Sequence, residues 1–582
     1  MTYKDITKTG IHFITEPISV PDGTHLHAEP DSRLVGGVRL HAKDAGNGLW
    51  ECSLGEAGIT PAAFVSRGYG RKILPSHNEL YINGKPLFIA QYPKRGQYLT
   101  VKALGNTPAA EGQRVTGPLE DGFSYDDPRP GQWEAGQEIW MLGYWCYDWA
   151  PSRERVKAID AERGFVSVDI AAGRNRVTEG QRFCFYNVRE EVTEPGDYCV
   201  DFVKGTILFR PYPDTDMEKA EILLSVCDKP VFAFDHAKDI TIEGFTIEAF
   251  RGMGVTVKDS ENIVIRDCEI RNIGNRAVCV DDSREVTVTH CHIHDTGDGG
   301  VAYYCGDRKT LTRADCRVTY CHFHNIASWD RCYEPPIRLY GVGLSAQYNV
   351  IHDCPHSAVL FGGNELSVCD NEIYRVVMET GDAGAVYGGR DYTFRGNEVS
   401  RNFIHHVGSG VGMGTMGIYN DDAISGTRME NNVFYKVQRA VFLGGGVDFL
   451  VQGNIFVDCY PSVEIDGRAQ SDAAMWRNMV IHTLYDRFYH IDGSDVSAAE
   501  GLYLQKYPEL AKIDAYYREN REPHIPPSAE MKHNLFCSEQ KISYTWDTKG
   551  GFYTEWDNKD ITREALKEYL TPHQYDVICG NE

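Results

Sequence analysis

The stretch IVIRDCEIRNIG (263–274), with VTVTHCHIHDTG (286–297) and CRVTYCHFHNIA (316–327) after it, decides how this chain is read. In each copy two alternating apolar residues lead to a Cys, and a further apolar residue follows two positions on. Period two is the pattern of a strand with one buried face. The motif continues as AQYNVIHDC (346–354), SVCDNEIYRVV (367–377), EVSRNFIHHVG (398–408), RMENNVFYKVQ (428–438) and FLVQGNIFVDC (449–459). The aligned positions are Cys268, Cys291, Cys321, Asn349, Asn371, Asn402, Asn432 and Asn454, spaced 23, 30, 28, 22, 31, 30 and 22 residues apart. Such a period belongs to a β-solenoid coil. Equivalent strands then stack about 4.8 Å apart and their side chains form columns. The prediction is an all-β chain: a right-handed parallel β-helix with an asparagine ladder at one bend.

Working outward, residues 1–67 carry extended segments broken by Gly, Pro and Asp. They are expected to form an N-terminal cap and the first coils. Residues 68–235 break the repeat. NELYINGKPLFIAQYPKRGQYLTV (78–101) reads as a hairpin around Asn83-Gly84, so an inserted β-rich domain is expected, with Trp133, Trp140, Trp145 and Trp149 in it. Residues 236–480 form the main helix with its groove. Residues 481–582, with helical spacing over 502–520, form a mixed segment that covers the last coils.

The bulk numbers agree. A chain of 582 residues exceeds one compact core, and 42% hydrophobic with 24% charged residues excludes disorder. A net charge of −24 disfavours nucleic acid, anionic lipid and polyuronates, and so favours a neutral partner. No apolar run is long enough for a membrane span, and MTYKDITKTGIHF holds no basic segment followed by an apolar run, so no signal peptide is expected. A cytoplasmic protein whose 17 cysteines stay reduced is expected. His292, His294, His322 and His324 share one outward face of adjacent coils. His352, Tyr374 and His405 continue the same column, so it reads as a feature of the repeat. No metal and no cofactor are assigned.

A second strand recurs in each coil: AVCVDDS (277–283), VAYYCGDR (301–308), AVLFGGNE (358–365), GAVYGGRD (384–391), GIYNDDAISG (417–426), AVFLGGGVD (440–448) and SVEIDGRA (462–469). If Val441 and Leu443 point inward, then Phe442, Tyr419, Asp421, Glu464 and Asp466 point outward, with Tyr387 beside them. Paired carboxylates on one open face are what glycoside hydrolysis needs, one to protonate the leaving oxygen and one to attack or to activate water. The same acids would also serve as solvated turn residues.

METGDAGAVYGGRDYTFRGNEVSRNFIHHVG (378–408), GIYNDDAISGTRMENNVF (417–434) and HDCPHSAVLFGGNE (352–365) resemble glycoside hydrolase family 141, within the pectate-lyase-like β-helix superfamily. NGKPLFIAQYP (83–93) and PGDYCVDFVKGTILFRPYP (195–213) resemble the segments leading into its coils, so the likeness runs over most of 78–465. The resemblance implies a glycosidase, with α-L-fucoside or xyloside as substrate. It places catalytic acids at Asp382 and Asp421, with Asp422 a close rival of Asp421. Family 120 β-xylosidases are similar over 417–434, where Asp421 aligns with their nucleophile; their acid/base Glu falls near Gly444, a departure. Asp391, Glu464 and Asp466 are reserve acids. His356, Tyr387, Arg390 and Tyr419 are candidate sugar contacts.

One constraint is severe. Asp382 precedes its strand and Asp421 ends the equivalent strand one coil later. On a straight strand they would stand about 20 Å apart, unless the chain bends at Gly381 or Gly384. The expectation is an exo-acting hydrolase of neutral, plant-type oligosaccharides, with Asp382 as acid and Asp421 as nucleophile or base. The rivals are a polysaccharide lyase, for which Arg308, Lys309 and Arg338 supply no basic row, and a non-catalytic carbohydrate-binding protein.

Overall fold

The computed structural model describes residues 4–105, 115–169, 176–408, 410–412, 414–491, 496, 498–520, 524–545 and 548–580. Three parallel sheets run the length of the molecule, two of 13 strands and one of 11. The chain visits them in turn, once per coil. Glu261–Arg266 belongs to the first sheet, Glu269–Ile273 to the second and Val278–Asp281 to the third. The protein is a parallel β-helix.

Alternation builds the core. Ile240, Ile263, Ile265, Val288 and Val318 point inward from the first sheet, and Ile270, Ile293, Phe323 and Ile351 from the second. Each such side chain contributes about 1.5–3 kcal/mol by leaving water. Phe434, Phe456 and Phe536 stack at 5.1 and 5.2 Å, so one column carries a continuous aromatic pile.

The bend between the first two sheets repeats in every coil. The residue just before each ladder position is left-handed, from Asp267 (φ 53°) through Tyr348 (57°) and Arg401 (55°) to Asp557 (51°). This turns the chain sharply and leaves the next N–H and side chain inside. The N–H of Asn349 donates to Asn371 Oδ1 at 2.9 Å, and the Asn349 amide donates to the same oxygen at 2.9 Å and to Val318 O at 3.1 Å. The pattern repeats at Asn371, Asn402, Asn432 and Asn454. It continues to Asn534 and Asn558, beyond the copies recognised in the sequence. The cysteines extend the same column: Cys321 N–H donates to Asn349 Oδ1 at 2.9 Å.

Two interruptions differ from the expected boundaries. The chain leaves the helix after Arg33–Val35 and rejoins it at Phe232–Asp235. Gly37–Arg39 pairs antiparallel with Ile222–Ser225, and Leu49–Ser53 with Thr206–Phe209. Residues 37–53, expected among the first coils, therefore build the inserted domain. Their alternation is equally good in either setting, and only long-range pairing decides between them. Near the other end, helices within 474–520 separate Val463–Asp466 from Ser528–Lys532, after which all three sheets resume. Among the described residues no helix is long and apolar enough to cross a membrane.

Asn402 is fully buried and bonded on both sides. Asn402→Ala leaves two buried ladder partners unsatisfied, so it is expected to lower unfolding stability by about 3 kcal/mol. Urea unfolding against wild type reads this; a change below about 1 kcal/mol would remove the ladder from the account of the fold.

Candidate active site

The third sheet carries the acids. Its strand Ala383–Gly389 pairs with Thr415–Asp421, and this with Val441–Gly444 and then Val463–Asp466. The register places Tyr387, Tyr419, Phe442 and Glu464 in one column. Gly389, Asp421, Gly444 and Asp466 form the next outward column. Asp421 thus lies between two glycines, and the cluster packs into the space their side chains would take: a Cβ would lie 3.2 Å from the Tyr387 hydroxyl at Gly389 and 3.2 Å from the Phe442 ring at Gly444.

Of the two alternatives the distance left open, a bend or another partner acid, the chain shows a bend. Asp382 is left-handed (φ 52°), and its N–H donates to Gly414 O at 2.7 Å. A Cβ on Gly384 would lie 2.5 Å from Tyr419 Cβ, although the register partner of Gly384 is Met416. Only glycine lets the strand fold back against Tyr419 at this point. The Tyr419 hydroxyl then donates to Asp382 Oδ1 at 3.0 Å. The same hydroxyl is close enough to Asp421 to lower its proton affinity. Asp382 and Asp421 therefore face one phenol hydroxyl from two sides.

Their surroundings differ. Asp421 Oδ1 accepts from Arg468 Nη1 at 2.7 Å and from the Asp422 N–H at 2.9 Å, and its Oδ2 accepts from the Tyr387 hydroxyl at 3.1 Å. These donors fix the carboxylate and favour its charge. Burial and the charge of Asp422 oppose them and, with Asp382, push the Asp421 carboxyl up to about 7. Among the described residues the Asp382 side chain has the single hydrogen-bond partner Tyr419.

The other candidates sort by their contacts. Asp422 is paired with Arg390 (Nε to Oδ2, 2.8 Å) and Arg468 (3.3 Å), so it braces the cluster. Asp466 holds Arg468 Nε at 3.1 Å. Glu464 is 3.0 Å from Arg439 and accepts from the Thr545 hydroxyl. Asp391 accepts from the Thr393 N–H and hydroxyl and faces Arg487, away from the Asp382–Asp421 pair. The face expected to be open is partly covered: Tyr419, Phe442 and Asp466 are each 2% exposed. His356 is buried, bonds Thr380 Oγ1 at 2.9 Å, and is held neutral, its value lowered to about 3 by burial and Arg338. Its ring lies 4.7 Å from Tyr333, so it supports that tyrosine from behind.

Sequence reasoning missed Arg468, Tyr333 and the wall that the insert provides. Tyr333 lies 6.2 Å edge-on from Tyr387, and the charges of Asp421 and Asp382 act on its hydroxyl. Tyr69 (5.7 Å) and Trp149 (6.1 Å) pack against it, and Tyr147 stacks on Trp149 at 5.0 Å and 13°. The insert also holds the loop bearing Asp382. The Tyr144 hydroxyl and Arg331 clamp Glu379 at 3.0 and 2.8 Å, and Gly381 N–H donates to Asp148 O. On the far side, Tyr392, Ala423, Val447 and Ala469 pack under the helices of 474–520, and Trp476 lies 4.7 Å from Arg468. The only sign of Arg468 in the sequence is the Gly-Arg that closes SVEIDGRA.

The chain matches the family described as right handed beta helix region over residues 228–316. No curated protein sequence matches it. Among solved structures, one described as a glycoside hydrolase superposes with a TM-score of 0.55 at 12% identity, over 82% of this chain and 91% of the other. A complex of XylC with xylose gives 0.48 at 12% identity, over 96% and 80%. A family 6 polysaccharide lyase from Pseudopedobacter saltans gives 0.30 at 13%, over 60% and 89%. At these identities the likeness establishes the fold.

Infrared difference titration is expected to show a protonated carboxyl band with a midpoint of about 7 that Asp421→Asn removes. Asp422→Asn takes away a neighbouring charge and moves that midpoint down. A midpoint unmoved by Asp422→Asn would contradict the crowding of the two carboxylates.

Proposed function

We propose that this protein is a glycoside hydrolase of the family 141 kind, cleaving a neutral sugar from short plant-type oligosaccharides. The observation that carries the reading is the pair Asp382 and Asp421, both set against the Tyr419 hydroxyl beside aromatic rings. Asp382 serves as the acid that protonates the leaving oxygen. Asp421, fixed by Arg468 and Tyr387, attacks the anomeric carbon or activates water. Tyr69, Tyr147 and Trp149 offer apolar faces for sugar rings. The glycoside hydrolase of similar fold supports the class.

Charge supports a neutral substrate. Three carboxylates (Asp421, Asp422 and Asp466) meet Arg390 and Arg468 beside Asp382, and both arginines are engaged by those three acids. Among the described residues at these acids, this leaves no spare cation for a uronate and no free base for lyase chemistry. The insert packs on the loop that enters the Asp382 strand, and the helices of 474–520 pack on the segments that leave these strands. A site closed from both directions favours exo action. Fucose and xylose are the first candidates.

Release of p-nitrophenol from a panel including α-L-fucoside, β-D-xyloside and α- and β-galactosides tests this. One substrate should turn over, and Asp382→Asn and Asp421→Asn should each lower kcat by about 10³-fold. Turnover that survives both substitutions would refute the assignment.

The pH profile tests the roles. Asp421 must be ionised to act, so kcat/KM should rise through about pH 7, and Asp422→Asn should shift that limb to lower pH. Activity that falls above about pH 7 would instead make Asp421 the acid and exchange the two roles.

A further inference from the structure

A second cluster lies on a different sheet. His292–Thr296 and His322–His324 are adjacent strands of the second sheet, with His292 opposite His322 and His294 opposite His324. Rings within each column stack, His292 on His322 at 4.9 Å and His294 on His324 at 4.7 Å. Stacking alone accounts for these parallel rings, and the same pile continues through His352, Tyr374 and His405.

Stacking does not account for the diagonal. His292 Nε2 lies 2.8 Å from His324 Nε2, across the two columns. One nitrogen from each of His292, His294 and His324 falls within 4.8 Å of the other two. Three imidazole nitrogens bound to one zinc-like ion at about 2.0–2.1 Å stand about 3.4 Å apart in a tetrahedral arrangement. The one close pair stands at 2.8 Å and the other separations are at most 4.8 Å, so side-chain rotation is needed to bring all three onto one ion.

The surroundings suit such a set. Both nitrogens of His294 have a carboxylate: Asp295 at 2.7 Å from Nδ1 and Glu269 at 3.3 Å from Nε2. Whichever nitrogen binds, the other is oriented by an acid, the usual support of a metal-bound imidazole. His292 and His324 are half-buried on the outer surface, which leaves a path for an ion.

We propose that His292, His294 and His324 bind one divalent transition-metal ion of the zinc class, distinct from the carboxylate cluster on the third sheet. Two ligands come from one coil and one from the next, so the ion staples successive coils. A diagonal contact recurs one coil on, where His322 Nε2 lies 2.7 Å from His352 Nε2, so the distinguishing feature is that His292, His294 and His324 bring three nitrogens together.

The test uses untagged full-length protein, stripped with a chelator and dialysed. Calorimetric titration with Zn²⁺ should show one equivalent bound with micromolar or tighter Kd. Co²⁺ should give visible absorption of a tetrahedral nitrogen site, and Zn²⁺ should raise Tm. His292→Ala/His324→Ala should weaken binding at least about 100-fold, while His405→Ala, in the same pile but outside the cluster, should bind as wild type. If the double variant does not fold, His292→Gln should weaken binding at least tenfold. Absence of a stoichiometric site in wild type, or affinity unchanged in the cluster variants, would overturn the proposal.

Discussion

The stacking of one coil on the next, fixed by a left-handed bend and a buried amide column, is the constraint on which the rest of the structure depends. At most bends an L-residue adopts a positive φ, at a local cost of about 1 kcal/mol or more, and at Gly453 a glycine does so without that cost. The inward Asn that follows satisfies the backbone N–H of one coil with a side chain of the next. A one-residue slip would break this ladder and turn every apolar column outward. Register is therefore set in the first two sheets, and the third inherits it. Asp421 stands between Gly389 and Gly444, and His292 meets His324, because coils carry equivalent positions into equivalent places.

Against this regular background the active-site region is a departure. Gly384 lets one strand fold back onto its neighbour, which brings together two acids that a straight strand would hold far apart. Crowding them has an electrostatic consequence. Asp382, Asp421 and Asp422 repel one another in a largely buried cluster, and Arg390 and Arg468 only partly compensate. One of the group consequently takes up a proton near neutral pH. A hydrolase needs one acid and one base in the same site, and the crowding sets the pH at which Asp421 ionises to become the base. The insert and the helices of 474–520 hold the two ends of the strands, so the bent geometry is braced from both directions.

Much of this was legible because a β-helix writes its architecture locally. The period, the alternation, the Asn column and the outward positions of Tyr419, Asp421, Glu464 and Asp466 all follow from spacing. The choice between a bend at Gly381 or Gly384 and another partner acid followed from distance alone. What the sequence hid depends on pairing between distant segments. Residues 37–53 alternate like a first coil but find partners at 206–225. The ladder positions Asn534 and Asn558 lie behind a helical interruption. Arg468 reaches the acids from two coils beyond Asp421, and Tyr69, Trp149 and Tyr333 converge from three separate stretches. His356 looked available for a sugar, yet its ring is packed behind Tyr333.

The most direct test of the central claim is a crystal structure of Asp382→Asn with the oligosaccharide that wild type cleaves. The account predicts the scissile oxygen facing the substituted amide at position 382, the anomeric carbon facing Asp421, and a sugar ring against the Tyr69–Trp149–Tyr333 wall. A sugar bound elsewhere on the helix, or one whose scissile bond lies away from both residues, would contradict it.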